Sequence, residues 1–309
     1  MIPQSELPLI IWIISDGKPG HLNQSRGLAE ALARATPARI HVLPAVSAAR
    51  ALLAGVFCRD LWPDAPAPDL ILAAGHATHL SLLAARRARG GRAVVLMKPS
   101  LPRRWFELTV VPQHDGLQAD AATLVTTGAL NRLHPPAEHP NSRGEQALIL
   151  IGGPSPHFEW HDDAIQLQIK SLLARSPNLR WTLTTSRRTP ESFLATLPAH
   201  PALTVVPHTA TSPDWLPEQL AGSGLVWVSP DSASMVYEAL TAGADVGVFD
   251  LPVNPKSRVG RAIADLADTQ RVTRFIQWCA DGTLHPNTTP LAEADRCAAW
   301  ILAWLKTGN

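Results

Sequence analysis

Charged side chains are scarce in this chain, at 17% of its 309 residues, whereas hydrophobic side chains make up 46%. A composition with so little charge excludes an intrinsically disordered chain and predicts a large buried core. The 27 basic and 26 acidic residues leave a net charge of +1, so the charge balance provides no attraction to nucleic acid. We therefore predict a folded protein whose partners do not include nucleic acid.

Cysteine and long apolar runs are also in short supply. Cys58, Cys279 and Cys297 lie far apart, and an odd number without Cys-x-x-Cys spacing excludes a disulfide framework and a zinc knuckle. No stretch reaches the ~20 apolar residues that a transmembrane helix needs. The first apolar segment lacks the basic leader of a signal peptide. These absences predict a cytoplasmic protein, for which peripheral contact with the inner membrane stays open.

Apolar segments of strand length alternate with helical periodicity, which is typical of parallel α/β architecture. The predicted strands are Pro8–Ser15, Ala38–Leu43, Leu70–Ala74, Ala93–Met97, Leu108–Val111, Ala147–Ile151, Arg180–Thr185, Leu203–Val206, Gly224–Ser229 and Asp245–Phe249. The predicted helices are Gln24–Ala35, Thr78–Arg89, Asp163–Ser176, Pro190–Leu197, Ala233–Ala242, Ser257–Ala267 and Pro290–Lys306. Two similar series of strands predict two Rossmann-like domains.

The segment 128–145 is the best linker candidate, because it is rich in proline and polar residues and has little apolar periodicity. We accordingly divide the chain into a first domain (1–130), a linker (131–145), a second domain (146–289) and an end helix (290–309). The end helix is amphipathic and must pack on a partner surface. It packs either on its own domain or across onto the first.

Polar residues follow the first predicted strand, in the segment Ser15–His21. Gly17 and Gly20 would let the backbone approach a ligand, and the spacing matches neither a Walker A loop nor Gly-x-Gly-x-x-Gly. A tight turn explains the glycines equally well. The polar side chains of Asp16, Lys18 and His21 favour a site, because open α/β sheets bind ligands where strands end.

Three further strand ends in the first half are polar. His76 and Thr78 follow the third strand, although a helix cap and solvated imidazoles explain this segment better when it is taken alone. No carboxylate is spaced to complete a metal site there. Lys98–Ser100 and Gln113–Asp115 occupy equivalent positions after later strands. Four polar strand ends together indicate a cleft.

The second half begins with a strand followed by Gly152 and Gly153, a pair that permits close approach of a phosphate or forms a plain turn. Arg187 and Arg188 follow the next strand. Two guanidinium groups at a strand end suit a diphosphate, and a solvated helix start is the alternative.

The segment 229–240 carries the most specific pattern, with small hydroxyl residues such as Ser232 at a helix start, where free amides and the helix dipole favour phosphate. Asp231, Ser234 and Glu238 are spaced to share one helix face. They span ~10 Å at 1.5 Å per residue, about the distance from a diphosphate to a ribose. We expect Glu238 to accept hydrogen bonds from ribose hydroxyls. Ordinary capping with an exposed glutamate explains each residue singly but not their alignment.

Three longer strings together resemble one protein family: SDGKPGHLNQSRGLAEAL, LIGGPSPHFEW and SPDSASMVYEALTAG, which begin at residues 15, 150 and 229. They are similar to the "elongated mitochondria" fission family, whose bacterial members are assigned as glycosyltransferases. The Gly17–His21 loop also resembles the Gly-x-x-Gly-His loop of two-domain (GT-B) glycosyltransferases. The resemblance covers most of the chain and implies a GT-B fold, with a donor site in the second domain and an acceptor cleft between the domains.

The resemblance also implies roles for individual residues. Those implied for the nucleotide-sugar donor are Gly152 and Gly153 at the diphosphate, Arg187 or Arg188 neutralising it, Asp231, Ser232 and Ser234 at the helix start, and Glu238 at the ribose. On the acceptor side the resemblance covers Gly17, Gly20 and His21, while Lys18 and His76 are assigned there from their positions after strands. The resemblance does not identify the catalytic base. His21 and Asp16 are the candidates, since imidazoles exchange protons near neutral pH. No Asp-x-Asp metal motif occurs, which favours metal-independent transfer without a cofactor. The acceptor is unidentified, and a membrane-associated acceptor is compatible with these features.

Two rival functions remain open at this point. A nucleotide-sugar 2-epimerase uses two such domains, and it would need several carboxylates and a histidine around the sugar. The candidates are Asp16, Asp115, His21 and His114. The second rival is a non-enzymatic adaptor related to the plant fission factor. An adaptor should expose an apolar patch and show no affinity for nucleotides.

Overall fold

A computed structural model describes residues 7–136 and 146–307. The chain divides into two compact units, of which the first comprises Met1–His134 and Ala292–Asn309 and the second Pro135–Leu291. The end helix therefore belongs to the first unit. Of the predicted linker, Asn131–His134 belongs to the first unit, whereas residues 137–145 lie outside the described residues.

In the described part of the chain, twelve strands form two sheets. They are β1 (Leu9–Ser15), β2 (Ala38–Pro44), β3 (Leu70–Ala74), β4 (Arg92–Leu96), β5 (Leu108–Pro112), β6 (Thr123–Thr126), β7 (Gln146–Ile151), β8 (Arg180–Thr185), β9 (Leu203–Val206), β10 (Leu225–Val228), β11 (Asp245–Val248) and β12 (Thr273–Arg274). Sheet order is β2-β1-β3-β4-β5-β6 in the first unit and β12-β11-β10-β7-β8-β9 in the second. Every pairing is parallel. The predicted α/β class with two Rossmann-like domains is confirmed.

Helices connect these strands, as parallel pairing requires. They are α1 (Pro19–Ala35), α2 (Ala48–Val56), α3 (His79–Arg89), α4 (Asp162–Arg175), α5 (Glu191–Thr196), α6 (Trp215–Gly222), α7 (Ala233–Thr241), α8 (Arg258–Asp268), α9 (Phe275–Asp281) and α10 (Glu293–Lys306).

The first unit buries both faces of its sheet, because residues along β1 alternate between two core clusters. Ile11 and Ile13 face α1 and α10, while Trp12 and Ile14 face the opposite layer. An ion pair of 2.6 Å between Arg34 of α1 and Asp295 of α10 links these two helices. The guanidinium of Arg92 also lies 4.4 Å from the ring centre of Trp304.

The second unit has its core on both sides of β10. Trp227 is completely buried and packs in an aromatic cluster with Phe249, Phe275 and Trp278. A Cβ at Gly247 of β11 would lie 2.4 Å from the Trp227 ring, so only glycine fits beside this indole. The Trp227 side chain therefore requires glycine at the paired position of the neighbouring strand β11.

Several boundaries differ from the sequence prediction. Helix α1 begins at Pro19 and not at Gln24, because proline is well suited to the first position of a helix. Gly20 and His21 consequently lie in the first helical turn and not in a loop. The prediction also missed five short elements, namely β6, β12, α2, α6 and α9. None is longer than nine residues, and their apolar patterns are correspondingly weak.

Candidate functional site

Each sheet has one point at which the strand order reverses, and the predicted motifs follow the strands at these two points. In the first unit, β1 lies between β2 and β3, so the crevice opens between β1 and β3. In the second unit it opens between β7 and β10. Such switch points are where open α/β sheets bind ligands. Each unit therefore presents its own candidate site.

The first unit pairs a carboxylate with an imidazole at its switch point. The Nδ1 of His21 lies 2.9 Å from Oδ2 of Asp16, whose side chain is 6% exposed. The other Asp16 oxygen accepts the N–H of Lys18 at 3.1 Å. Because the ionised carboxylate only accepts, Nδ1 carries the proton and Nε2 is left as an acceptor. Within the described residues Nε2 has no hydrogen-bond partner.

Electrostatics keep Asp16 ionised. Burial by itself raises the pKa of this carboxyl, but hydrogen bonds from the Lys18 amide and from His21, with the nearby positive charges, outweigh burial and lower the pKa below its usual value. The ammonium of Lys18 is 3.9 Å from the carboxylate and 61% exposed. Asp16 is therefore ionised at neutral pH, where it accepts the hydrogen bond from His21.

Gly75, which directly follows β3, makes room for the imidazole of His21. A Cβ at this position would lie 2.3 Å from Cε1 of His21, and the backbone φ of +85° also disfavours other residues. Sequence analysis missed this role, although a glycine directly after a strand was the available signal. Gly17 has a φ of +77°, whereas Gly20 is helical and has open space around its Cα. Only Gly17 of these two needs glycine geometry.

The two histidines after β3 differ in environment. His76 is exposed. His79 is buried, its Nδ1 is 3.2 Å from Oγ of Ser100, and burial together with the charge of His76 lowers its pKa. Thr78 donates its hydroxyl to the carbonyl of Gly75 at 2.7 Å. Thr78 and His79 thus shape the loop, whereas the side chain of His76 is accessible to solvent.

A cavity of about 490 Å³ opens beyond β4 in the same unit, lined by Lys98, Pro99, Leu101, Arg103, Leu117, Gln118 and Asp120. Arg103 pairs with Asp120 at 2.6 Å, and the amide of Lys98 is held by Asp115 at 3.1 Å. Lys98 and Pro99 after β4 therefore line this cavity, and Asp115 after β5 contributes through its hydrogen bond to Lys98. Its volume suits a small organic group.

In the second unit, the backbone N–H groups of Gly152 and Gly153 are hydrogen-bonded to side chains of the same unit. Gly152 donates its N–H to Oγ of Ser229 at 2.7 Å, and Gly153 donates to Oδ2 of Asp231 at 2.8 Å. A Cβ at Gly152 would lie 2.0 Å from Asp231, so glycine is required for this approach. Both N–H groups are thus already hydrogen-bonded within the protein, and the close approach of a diphosphate to this glycine pair stays a prediction.

Asp231 is held inside this loop by Arg188. Its side chain is 1% exposed and pairs with the guanidinium at 2.7 Å, while Arg188 also donates to the carbonyl of Gly153 at 2.8 Å. Burial raises the pKa of the Asp231 carboxyl, and Ser229, Gly153 and Arg188 offset only part of that effect. Asp231 precedes α7, so the prediction that it shares a helix face with Ser234 and Glu238 is wrong. Arg187 is exposed and has no ion-pair partner among the described residues.

The N-terminus of α7 is open, in the sense that its first backbone N–H groups lack acceptors within the described residues. Ser232 is its N-cap but makes no side-chain cap hydrogen bond, and the N–H groups of residues 233–235 have no acceptor within the described residues. Three such donors and the helix dipole favour an anion at this end. Ser234 is exposed, and Glu238 lies half-buried one further turn along. The helix therefore offers donors for phosphate and a carboxylate at a fixed distance from them.

Among residues 7–136 and 146–307, no group of three or more His, Cys, Asp and Glu side chains could hold a metal ion. No described helix is long and apolar enough to cross a membrane.

The family model described as mitochondrial fission ELM1 matches residues 19–305. The chain belongs to the ELM1 family. The resemblance found in the three sequence strings is thus confirmed. A search of curated proteins finds no significant match to this ELM1-family chain.

Solved structures with the GT-B fold resemble this ELM1-family chain over nearly its whole length. A Listeria monocytogenes protein described as a UDP-N-acetylglucosamine 2-epimerase is 13% identical, with a TM-score of 0.63 over 98% of this chain and 97% of that one. Acinetobacter baumannii MurG is 14% identical, with a TM-score of 0.52 over 97% and 100%. The UDP-GlcNAc 2-epimerase from Neisseria meningitidis, bound to UDP-GlcNAc, is 10% identical, with a TM-score of 0.52 over 98% and 100%. The ELM1-family chain has the GT-B fold.

Proposed function

We propose that this protein transfers a sugar from a nucleoside-diphosphate donor to an acceptor hydroxyl, without a metal ion or cofactor. The observation that carries the proposal is the open start of α7 at the switch point of the second sheet. We assign donor binding to the second unit and activation of the acceptor to the first.

The donor diphosphate would be held by the first amides of α7. Phosphate oxygens would accept hydrogen bonds from residues 233–235, and the hydroxyls of Ser232 and Ser234 stand at the same helix end. Arg187 would supply a positive charge, since Arg188 is already committed to Asp231. Glu238, five residues after the first helical residue, lies ~7.5 Å farther along the axis. Its carboxylate would accept hydrogen bonds from the ribose hydroxyls.

His21 would act as the general base. The proton of the acceptor hydroxyl would pass to Nε2, while Nδ1–H stays bonded to Asp16. The acceptor oxygen then forms a bond to the anomeric carbon, and the bond from that carbon to the nucleoside diphosphate breaks. The electron pair leaves with the diphosphate, whose growing negative charge is stabilised by the α7 amides. Gly17, Lys18, Gly20 and the exposed His76 would border the acceptor.

Calorimetry with uridine, guanosine and thymidine diphosphates tests the donor site first. We expect one of them to bind in the presence of EDTA, and binding that requires a divalent ion would contradict the metal-independent proposal. Binding of none would favour the adaptor.

Turnover of the matching nucleotide sugar then separates the two reactions. Release of nucleoside diphosphate that requires an added acceptor indicates transfer. Interconversion of the nucleotide sugar without an acceptor indicates epimerisation and would overturn the proposal.

A further inference from the structure

Helix α2 turns large apolar side chains outward. Leu52, Leu53, Val56 and the following Phe57 are 58%, 58%, 62% and 66% exposed. At about 100° per residue these four positions cover an arc of ~140° on the helix. Exposed apolar residues that occur singly need no explanation, but a contiguous face of four on one helix does. We call this surface the α2 face.

The opposite side of α2 explains why the apolar residues point away from the core. Ala51 and Ala54 are buried, and a Cβ at Gly55 would lie 3.9 Å from Cα and Cβ of Ala84 of α3, which is an ordinary van der Waals contact. The side of α2 that packs on α3 is therefore made of small residues. The helix therefore buries its small side and exposes its large apolar side, the reverse of an ordinary surface helix.

Hydrogen bonds at both ends hold the α2 face in place. Ser47 caps the helix by accepting the N–H of Arg50 at 3.4 Å, and the N–H of Val46 is bonded to Ser81 at 3.1 Å. At the other end the N–H of Arg59 reaches the carbonyl of Ala54 at 2.8 Å. The exposed residues thus stand on a fixed element and not on a free loop.

Positive charge borders the α2 face. Arg50, Arg59 and Arg87 of the packed helix α3 are exposed, and none forms an ion pair within the described residues. The acids Asp60 and Glu107 are already paired with Arg89 and Arg86. The remaining acid of segment 47–65, Asp64, is exposed, so this segment and Arg87 carry three unpaired arginines against one such carboxylate in the described residues. The surface therefore combines a wide apolar face with an excess of positive charge.

We propose that the α2 face binds the surface of an anionic lipid bilayer. Apolar side chains of an interfacial helix enter the boundary between headgroups and acyl chains, while flanking arginines attract anionic headgroups. The occupant is a lipid surface and not a nucleotide, because the α2 face combines several large apolar side chains with arginines and offers no cluster of polar acceptors. The inference does not depend on the proposed sugar transfer.

Flotation with vesicles tests this proposal. We expect the protein to float with vesicles of phosphatidylcholine and phosphatidylglycerol, and much less with phosphatidylcholine alone or in high salt. Leu53→Ser with Phe57→Ser should lower binding at least about tenfold. The matched control is Leu167→Ser with Ile276→Ser, since these side chains are 68% and 63% exposed but lie singly in the second unit. Thermal melting by circular dichroism checks that both variants are folded.

A fluorophore at Cys58 gives a second measurement at the end of the α2 face. Cys58 is exposed and Cys297 is buried, so a Cys279→Ser variant restricts labelling to Cys58. We expect the emission of an environment-sensitive dye to shift to the blue with anionic vesicles. Equal flotation of the α2 variant and the control variant would overturn the proposal. So would a dimer, seen by sedimentation, that Leu53→Ser with Phe57→Ser abolishes, because a second copy would then cover the α2 face.

Discussion

The imidazole of His21 and the carboxylate of Asp16 form a hydrogen-bonded pair of 2.9 Å across the turn from β1 into α1. Gly75 of the neighbouring strand end leaves the space that the ring occupies. A carboxylate that fixes the proton on one ring nitrogen leaves the other nitrogen as a base. This geometry supports the proposed role of His21 as a general base.

His21→Gln should abolish turnover while leaving nucleotide affinity nearly unchanged, because His21 belongs to the first unit and the donor is assigned to the second. Removal of a general base costs ~10²- to 10⁴-fold in kcat. Steady-state kinetics and calorimetry measure the two effects separately. The control is His161→Gln, an exposed histidine before α4 that should retain full activity. A large loss of nucleotide affinity in His21→Gln would refute the assigned role.

Asp16→Asn should lower kcat by at least about tenfold, since an amide no longer holds the imidazole in one tautomer. The same variant predicts a pH dependence of stability. The pKa of Asp16 is lower in the folded protein than in the unfolded chain. Its contribution to the free energy of unfolding is therefore complete above the unfolded pKa of about 3.9, and it is lost as pH falls through the folded pKa.

Urea unfolding from pH 7 to pH 3 measures this contribution. The stability deficit of Asp16→Asn relative to the wild type should be constant at neutral pH and should shrink below about pH 4. A deficit that grows on acidification would mean that the folded pKa is raised.

Gly75→Ala should impair activity through a clash, because the new Cβ would lie 2.3 Å from Cε1 of His21. Gly90→Ala is the matched control, since Gly90 has a similar φ of +76° but nothing within 4 Å of its Cβ position. Both variants should lose about 1–3 kcal/mol of stability through backbone strain. Only Gly75→Ala should also lose turnover. Equal activities in the two variants would show that the ring position is unimportant.

Glu238→Gln should weaken nucleoside-diphosphate binding by ~10- to 100-fold, because the amide offers one acceptor oxygen to the ribose in place of two. A 2′-deoxynucleotide should lose less affinity from the same substitution. Calorimetry on Glu238→Gln and on Glu218→Gln, an exposed glutamate of α6, makes the comparison. Equal losses of affinity for ribo- and deoxyribonucleotides would show that Glu238 does not bind the ribose.

The adjacent arginines should respond differently to replacement by methionine. Arg188→Met leaves the buried Asp231 carboxylate without its cation and should cost about 1–3 kcal/mol, since Arg188 itself is 41% exposed. Arg187→Met should leave stability unchanged and weaken diphosphate binding. Chemical denaturation and calorimetry distinguish the two effects. An unstable Arg187→Met variant, or a stable Arg188→Met variant, would contradict this division of roles.

Much of the fold and part of the site could be predicted from local sequence. Buried parallel strands are continuous apolar segments, so β3 and β8 were predicted with their observed bounds. Polar residues directly after strands located both candidate sites, because the carboxyl ends of parallel strands share one edge of the sheet. The family could also be predicted, since the strings that resemble it are uninterrupted in the chain.

Tertiary structure decided which polar groups face outward. The spacing of Asp231, Ser234 and Glu238 indicates a common helix face, but the pairing of β7 with β10 brings Asp231 against Gly153 and Arg188, where it is buried. Gly75 and His21 are 54 positions apart and meet only because β1 and β3 pair. Such contacts depend on strand order, which local periodicity does not contain. The sequence alone therefore determined most strands and helices and the polar residues at the strand ends, and packing determined which of those side chains are buried.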